Sequence, residues 1–77
     1  MKASIYTLAE IANGSSIKLN FDNGQSINAT LTYDNLSVGV TSSVRISTTE
    51  ILPTLNNYAF DLEYNYVVVG KGILHID

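Results

Sequence analysis

Apolar and polar residues alternate along Ser15–Val40 in three runs that short turn segments separate. Alternation with a period of two is typical of a strand that buries one face and exposes the other. The apolar members of the runs are Ile17, Leu19 and Phe21, then Ile27, Ala29, Leu31 and Tyr33, then Leu36, Val38 and Val40. The pattern predicts a three-stranded antiparallel meander with one apolar face.

The first turn has to bring the apolar residues of two runs onto the same face. A two-residue loop would set Leu19 opposite the polar Asn28, although residues directly opposite each other share a face. A three-residue loop, Asp22–Gly24, instead pairs Leu19 with Ile27 and places Gly24 where a left-handed backbone is needed. We therefore predict the longer loop.

The second turn is resolved differently, because the apolar residues move from odd to even positions. A two-residue loop at Asp34–Asn35 pairs Tyr33 with Leu36. The same loop pairs Leu31 with Val38, and both of its residues tolerate the positive φ of a type I′ turn. We therefore predict the shorter loop here.

The segment before the meander begins with a short predicted strand, Ala3–Tyr6. Two interpretations of Thr7–Ala12 stay open. One is a turn of helix that starts with a capping box of Thr7 and Glu10. The other is a strand that runs unbroken over residues 2–12.

The chain after the meander opens with Val44 and Ile46, which keep the even phase and extend the third strand. Ser47–Asn57 is the longest irregular segment, and Asn56–Asn57 at its end is typical of a turn. The apolar residues that we expect over one end of the core are Ile51, Leu52 and Leu55.

The last part of the sequence predicts a hairpin. Tyr58–Val69 is expected as one long strand, Gly70–Gly72 as its turn, and Ile73–Ile76 as the returning strand. The residues expected on one face of the long strand are Tyr58, Phe60, Leu62, Tyr64, Tyr66 and Val68. Its far end is apolar on both faces, so the hairpin is either central in a closed sheet or covered by another chain.

These elements together indicate an all-β fold. About six short strands with at most one or two helical turns are typical of a small antiparallel barrel or sandwich of about five to six strands, of SH3-like or OB-like architecture. The two names describe an architecture that hosts many functions. The length of 77 residues predicts a single domain. Because the chain contains no cysteine, we expect no disulfide and no thiolate zinc site.

Charge excludes some classes of partner. The formal net charge is −3, and the four basic residues are scattered along the chain. A nucleic-acid surface needs a basic stripe that neutralises several phosphates, so we expect no direct DNA or RNA binding. No stretch approaches the roughly 20 apolar residues of a membrane helix, and the first residues do not resemble a signal peptide. We expect no membrane contact and a cytoplasmic location.

Candidate catalytic and metal-binding groups are sparse. His75 is the single histidine, and a general base needs a positioned partner, for which Asp77 or Glu63 is the candidate; the simpler interpretation is a surface histidine. Asp61 and Glu63 share a strand face, but a hard cation wants several converging oxygens. Gly70–Gly72 lacks the surroundings of a phosphate-binding loop. We therefore expect no enzymatic activity, no cofactor and no metal.

The aromatic residues near the C-terminus are the most informative group. Some of them are expected in the core, with tyrosine hydroxyls at its rim, and exposed ones favour protein recognition, because tyrosine is enriched at interface centres. The predicted protein-binding residues are Tyr58, Asp61, Glu63, Tyr64, Tyr66 and Glu50.

The functional hypothesis is a non-enzymatic protein-binding domain, a small intracellular inhibitor or adaptor with a protein partner. By analogy of class, small acidic phage proteins that block host defence enzymes act on nucleic-acid-handling complexes, with carboxylates placed in a basic groove. The alternative is a structural homo-oligomeric assembly subunit, for instance a homodimer, that pairs through the C-terminal β-hairpin.

Overall fold

The alternating runs form strands that close into a barrel. The computed structural model describes residues 2–8, 11–33, 43–49 and 55–76. The strands of these residues are β1 (Lys2–Leu8), β2 (Ser16–Phe21), β3 (Ser26–Tyr33), β4 (Ser43–Ser47), β5 (Ala59–Tyr64) and β6 (Val67–His75). Their order around the barrel is β1-β4-β3-β2-β5-β6, and β6 pairs with β1 to complete the circle.

All neighbouring strands are antiparallel, so the predicted small all-β fold is confirmed, and closure selects the barrel over the sandwich. The order is that of a Greek key, since β2, β3 and β4 form a meander and β1 lies beside β4. Alternate residues of each strand fill the interior. Among the described residues, no polar or charged residue is buried.

The first hairpin has the predicted register. Leu19 pairs with Ile27, and the N–H of Phe21 donates to the carbonyl of Gln25 over 2.8 Å. Gly24 has φ +90°, as expected of the left-handed position in a three-residue loop. The apolar sets of β2 and β3 therefore point into the same interior.

The third strand of the meander lies later in the chain than predicted. Tyr33 pairs with Val44 rather than with Leu36, and Leu31 pairs with Ile46 rather than with Val38. The predicted loop Asp34–Asn35 lies outside the described residues. Val44 and Ile46 are buried, so the face was predicted correctly although the register was wrong.

Over its first half, the segment Thr7–Ala12 matches the strand interpretation and not the helical one. Thr7 and Leu8 belong to β1 and pair with β6, so no helix starts at Thr7. Ile11 and Ala12 are not part of a strand, so a strand unbroken over residues 2–12 is also wrong. The proposed capping partner Glu10 lies outside the described residues. Further on, Ile11 is buried and its carbonyl accepts the hydroxyl of Tyr33 over 3.0 Å, which ties this segment to β3.

The predicted long strand Tyr58–Val69 is wrong. The chain reverses at Asn65–Tyr66, where Tyr64 pairs with Val67. The predicted turn Gly70–Gly72 instead lies inside β6. Both residues of the real turn have positive φ, 52° at Asn65 and 66° at Tyr66, as in the type I′ turns that suit two-residue hairpins.

Glycine at position 72 serves close packing rather than a turn. A Cβ atom there would collide with the carbonyl oxygen of Ser4 and lie 3.1 Å from the ring of Phe60. Gly72 pairs with Ile5 on one side and with Phe60 on the other. The missing side chain therefore lets β1 and β6 approach each other where the barrel closes.

The residues just before β5 cover one end of the interior. Leu55 is fully buried, as predicted, while Ile51 and Leu52 lie outside the described residues. Asn56 and Asn57 form the expected turn, and the side-chain oxygen of Asn56 accepts the N–H of Ile76 over 2.9 Å. This turn joins the start of β5 to the end of β6.

Candidate functional site

The turn between β5 and β6 exposes more apolar surface than any other described part of the barrel. We call Tyr64–Val68 the hairpin tip. Tyr66 is 93% exposed, Val67 60%, Val68 50% and Tyr64 39%. Because burial of apolar side chains is the main favourable contribution to folding, a cluster of this kind contributes little to the stability of the isolated barrel.

The strand pairing around the hairpin tip explains why the tip protrudes. The pairing of β5 with β2 ends at Glu63–Lys18, one residue before the tip. A β-bulge at Val69 separates the Glu63–Val68 pair from the Leu62–Gly70 pair, and bulges bend a strand and increase its twist. The tip is therefore a short two-stranded ribbon that separates from Ser16 and Ile17 of β2, which stay paired with β3.

A groove of about 800 Å³ lies beside the hairpin tip. The tip forms one wall through Tyr64 and Tyr66, and the opposite wall comes from the ends of β2, β3 and β4. The residues of that wall include Ser16, Lys18, Thr30 and Ser47. Its only charged side chains among the described lining residues are Lys18 and Glu63, so the groove is polar without a net charge.

The acidic residues predicted for the site are engaged within the chain. The carboxylate of Asp61 forms an ion pair with the ammonium group of Lys71 at 3.0 Å. Both side chains are about half exposed, and exposed pairs of this kind contribute little to stability. Glu63 accepts a hydrogen bond from the side-chain amide of Asn20 over 3.1 Å. Glu50 lies outside the described residues. Asp61 and Glu63 are therefore part of a mixed polar surface.

The predicted tyrosines are divided between the two ends of β5. Tyr64 and Tyr66 belong to the hairpin tip, but Tyr58 precedes the strand, roughly 20 Å away along an extended chain. Tyr58 is 38% exposed, and its carbonyl accepts the N–H of Leu74 over 3.1 Å. The structure thus brings together two of the three predicted tyrosines.

Val67 and Val68 were missed as site residues. The signal was present, because residues 64–69 read Tyr-Asn-Tyr-Val-Val-Val without a charge. Placing these residues inside one long strand concealed it, since a strand interior hides half of its side chains. Recognising Asn65 as a turn residue, a position that asparagine tolerates, would have exposed the cluster.

A second, smaller cavity of about 280 Å³ is lined by residues of β1, β2, β5 and β6. Tyr6, which is 64% exposed, forms one side of it, and Asp61 and Lys71 are among its lining residues. The two opposite charges that line this cavity are therefore engaged with each other.

His75 has a different partner from the one the sequence suggested. Its Nε2 lies 2.8 Å from the hydroxyl oxygen of Ser4 on the neighbouring strand. Glu63 is bonded to Asn20, and Asp77 lies outside the described residues. Ser4 and His75 line neither of the two cavities, so the pair is part of the open barrel surface.

Within the described ranges, no three histidine or carboxylate side chains come together as metal ligands. No helix in the same ranges is long and apolar enough to cross a membrane. The hairpin tip with its adjacent groove is thus the most distinctive surface that these residues form.

Comparison of the chain with protein-family models, with curated proteins and with solved structures gives no match.

Proposed function

We propose that the chain is a non-enzymatic protein-binding domain, a small intracellular inhibitor or adaptor that contacts its partner through the hairpin tip. The observation that supports the proposal is Tyr66, which is 93% exposed and has a positive φ. Left-handed geometry is unfavourable for a bulky residue, and strained positions are concentrated at functional sites. The barrel holds this tyrosine where it adds nothing to the core.

The energetics of recognition suit such a residue. Tyrosine has a large contact area and loses little conformational entropy on binding, and tyrosine is enriched among the residues that dominate interfaces. Truncating an anchor of this kind costs about 2 kcal/mol or more of binding free energy, which corresponds to about a 30-fold weaker Kd. The flanking valines enlarge the apolar contact.

The chemistry of the tip also defines the kind of partner surface. Residues 64–68 carry no charge, and Asp61 is neutralised by Lys71. An apolar cleft on the partner therefore fits the tip better than the basic groove that the phage-protein analogy suggested. An inhibitor or adaptor can bind its partner through either kind of contact.

Affinity capture with matched tyrosine variants tests the proposal. The immobilised wild-type chain, Tyr66→Ala and Tyr6→Ala would be incubated with cell lysate, and retained proteins would be quantified by mass spectrometry. Tyr6 is an exposed tyrosine away from the tip and serves as the control. We expect a partner that Tyr6→Ala retains and Tyr66→Ala loses. Equal retention by both variants, or no specific partner, would contradict the proposal.

A structural assembly subunit is the second candidate function. The observation that favours it is the groove directly beside the hairpin tip, because a protrusion next to a concavity can be complementary to its own copy. The copy would then be the protein partner.

A further inference from the structure

We infer that the groove beside the hairpin tip binds a neutral oligosaccharide. The inference goes beyond the proposed function, because it assigns the polar walls of the groove to a ligand that is not a protein. The outward faces of β2, β3 and β4 supply groups that bond sugar hydroxyls, and Tyr64 supplies an aromatic wall.

The register of the strands aligns the polar side chains of the groove in two rows. Residues directly opposite each other share a face, with Cβ atoms about 4.5–5.5 Å apart. Lys18 of β2 has a polar residue opposite it on both neighbouring strands, and so has Thr30 of β3. The rows are Glu63, Lys18 and Asn28, and then Ser16, Thr30 and Ser47. Hydroxyl, amide, ammonium and carboxylate groups therefore lie together in one groove.

Most of the side chains in the two rows are available to a ligand. Four of them have no side-chain hydrogen bond or ion pair within the described ranges: Ser16, Lys18, Thr30 and Ser47. The carboxylate of Glu63 accepts the amide of Asn20 at Oε1, which leaves Oε2 to a ligand. A sugar hydroxyl both donates and accepts, so it can bond to each of these groups.

The charges of the groove favour a neutral ligand. Lys18 and Glu63 carry opposite charges and are the only charged side chains among the described lining residues. A phosphodiester chain requires several cations along its path, and the carboxylates of an acidic sugar would be repelled by Glu63. The formal net charge of −3 also repels polyanions from the whole chain.

The strand pairing disfavours a peptide that adds a strand in the groove. β3 pairs with both β2 and β4, and β2 pairs with β5 from Lys18 onwards. Within β2 only Ser16 and Ile17 keep an open edge, which is shorter than the roughly 3–10 residues of ordinary strands. An apolar occupant, such as the hairpin tip of a second copy, would bury the groove hydroxyls without hydrogen-bond partners, and this is costly.

Tyr64 supplies the apolar contact that the C–H groups of a sugar ring need. Its side chain lines the groove and is 39% exposed. Aromatic rings have a negative face, on which the weakly positive C–H groups of a sugar pack. The groove volume of about 800 Å³ lies within the range of about 300–1,000 Å³ typical of ligand sites, which suits a short oligosaccharide better than a single sugar.

Titration of the isotopically labelled chain, followed by its amide NMR signals, tests the ligand class. The neutral compounds are maltohexaose, cellohexaose, mannohexaose and chitohexaose, each raised to millimolar concentration. Hexagalacturonate and a hexathymidylate are the charged comparisons. We expect at least one neutral compound to shift the amide signals of the groove residues in a saturable manner, and the charged compounds to leave them unchanged.

Two matched pairs of variants locate the contact. Tyr64 and Tyr58 lie at opposite ends of β5 with exposures of 39% and 38%, and only Tyr64 lines the groove. Thr30 and Thr32 are both partly buried on the outward face of β3, and only Thr30 lines the groove. We expect about a 10-fold weaker Kd for Tyr64→Ala and about a 5-fold weaker Kd for Thr30→Val. Tyr58→Ala and Thr32→Val should bind as the wild type does.

Several results would overturn the inference. One is the absence of shifts with every neutral compound, and another is stronger binding of a charged compound. Shifts confined to the smaller cavity beside Tyr6 would place the ligand elsewhere. Equal binding by the members of either matched pair would show that the groove side chains do not contact the sugar. Tyr64→Phe keeps the ring and should retain binding, which separates loss of the aromatic wall from loss of the hydroxyl.

The outcomes also separate this inference from the proposed function. Thr30→Val that loses oligosaccharide binding and still captures the protein partner supports two separate contacts, the groove and the tip. Absence of oligosaccharide binding refutes the groove as a sugar site, while capture that depends on Tyr66 still supports the tip as a protein contact.

Discussion

Replacing Tyr66 by glycine is expected to stabilise the barrel while it weakens association. Tyr66 has φ 66°, and a left-handed backbone costs a residue with a Cβ atom about 1–2 kcal/mol. Glycine avoids that cost but has more freedom in the unfolded chain, which offsets about 0.4–1 kcal/mol. Only 7% of Tyr66 is buried, since 93% is exposed, so little packing is lost. The expected net gain in the free energy of unfolding is about 0.5 kcal/mol.

Thermal and urea unfolding measure this gain. The protein concentration is kept low, so that the unfolding of the isolated chain is measured without a contribution from mass action. For a domain of this size, about 0.5 kcal/mol raises Tm by about 2–4 °C. Asn-Gly is also a favoured pair for a type I′ turn, which works in the same direction.

Two control variants separate the backbone effect from the side chain. Tyr66→Ala removes the ring but keeps the Cβ atom, so its free energy of unfolding should stay within about 0.5 kcal/mol of the wild type. Gly24→Ala introduces a Cβ atom at φ +90° with no atom within 4 Å of it, so it should lose about 1 kcal/mol for backbone reasons alone. If Tyr66→Gly is no more stable than Tyr66→Ala, the reasoning about the turn is refuted.

Three further substitutions test the barrel. Gly72→Ala should destabilise it by more than about 2 kcal/mol in urea unfolding, because the new Cβ atom collides with the backbone of β1; a loss below about 1 kcal/mol would contradict the close approach. Asp61→Asn should change stability by less than about 0.5 kcal/mol, because its ion pair with Lys71 is exposed, and a larger loss would show that the pair matters more than its exposure indicates. Tyr33→Phe should lose about 1 kcal/mol, because the buried carbonyl of Ile11 loses the donated hydroxyl; unchanged unfolding would argue against that hydrogen bond.

The sequence predicted which side chains of a strand face the interior better than it predicted which residues pair across neighbouring strands. Alternation with a period of two determines whether a residue points inward. It does not distinguish between registers that differ by an even number of residues, because such a shift leaves every side chain on the same face. Tyr33 illustrates the limit, since Leu36 and Val44 both satisfy its face and only the second is its partner. The first hairpin was predicted in full because its two strands are joined by a loop as short as the one assumed, with Leu19 opposite Ile27.

Two glycines led to the wrong position of the turn in the C-terminal hairpin. Gly70 and Gly72 resemble turn residues, yet their lack of a side chain serves the approach of β1 to β6, a contact between the two ends of the sequence. Tyr66 was mispredicted in the opposite sense, since it was expected in a strand and lies in a turn. A bulky residue at positive φ has no sequence signal of its own. Tyr64 and Tyr66 were therefore singled out from the sequence, while the shape of the hairpin tip depends on a turn that local propensity does not favour.

Closure of the barrel has a consequence for the order of folding. The seam joins the first strand to the last, and 62 positions separate Leu8 from its partner Gly70. Closing so long a segment costs conformational entropy before its contacts form, and β-rich domains dominated by such distant pairs fold in milliseconds to seconds. The hairpins β2–β3 and β5–β6 are local and can form early. During synthesis the seam has to wait for β6, so the unpaired edges of β1 and β5 are exposed to other chains until the last strand arrives.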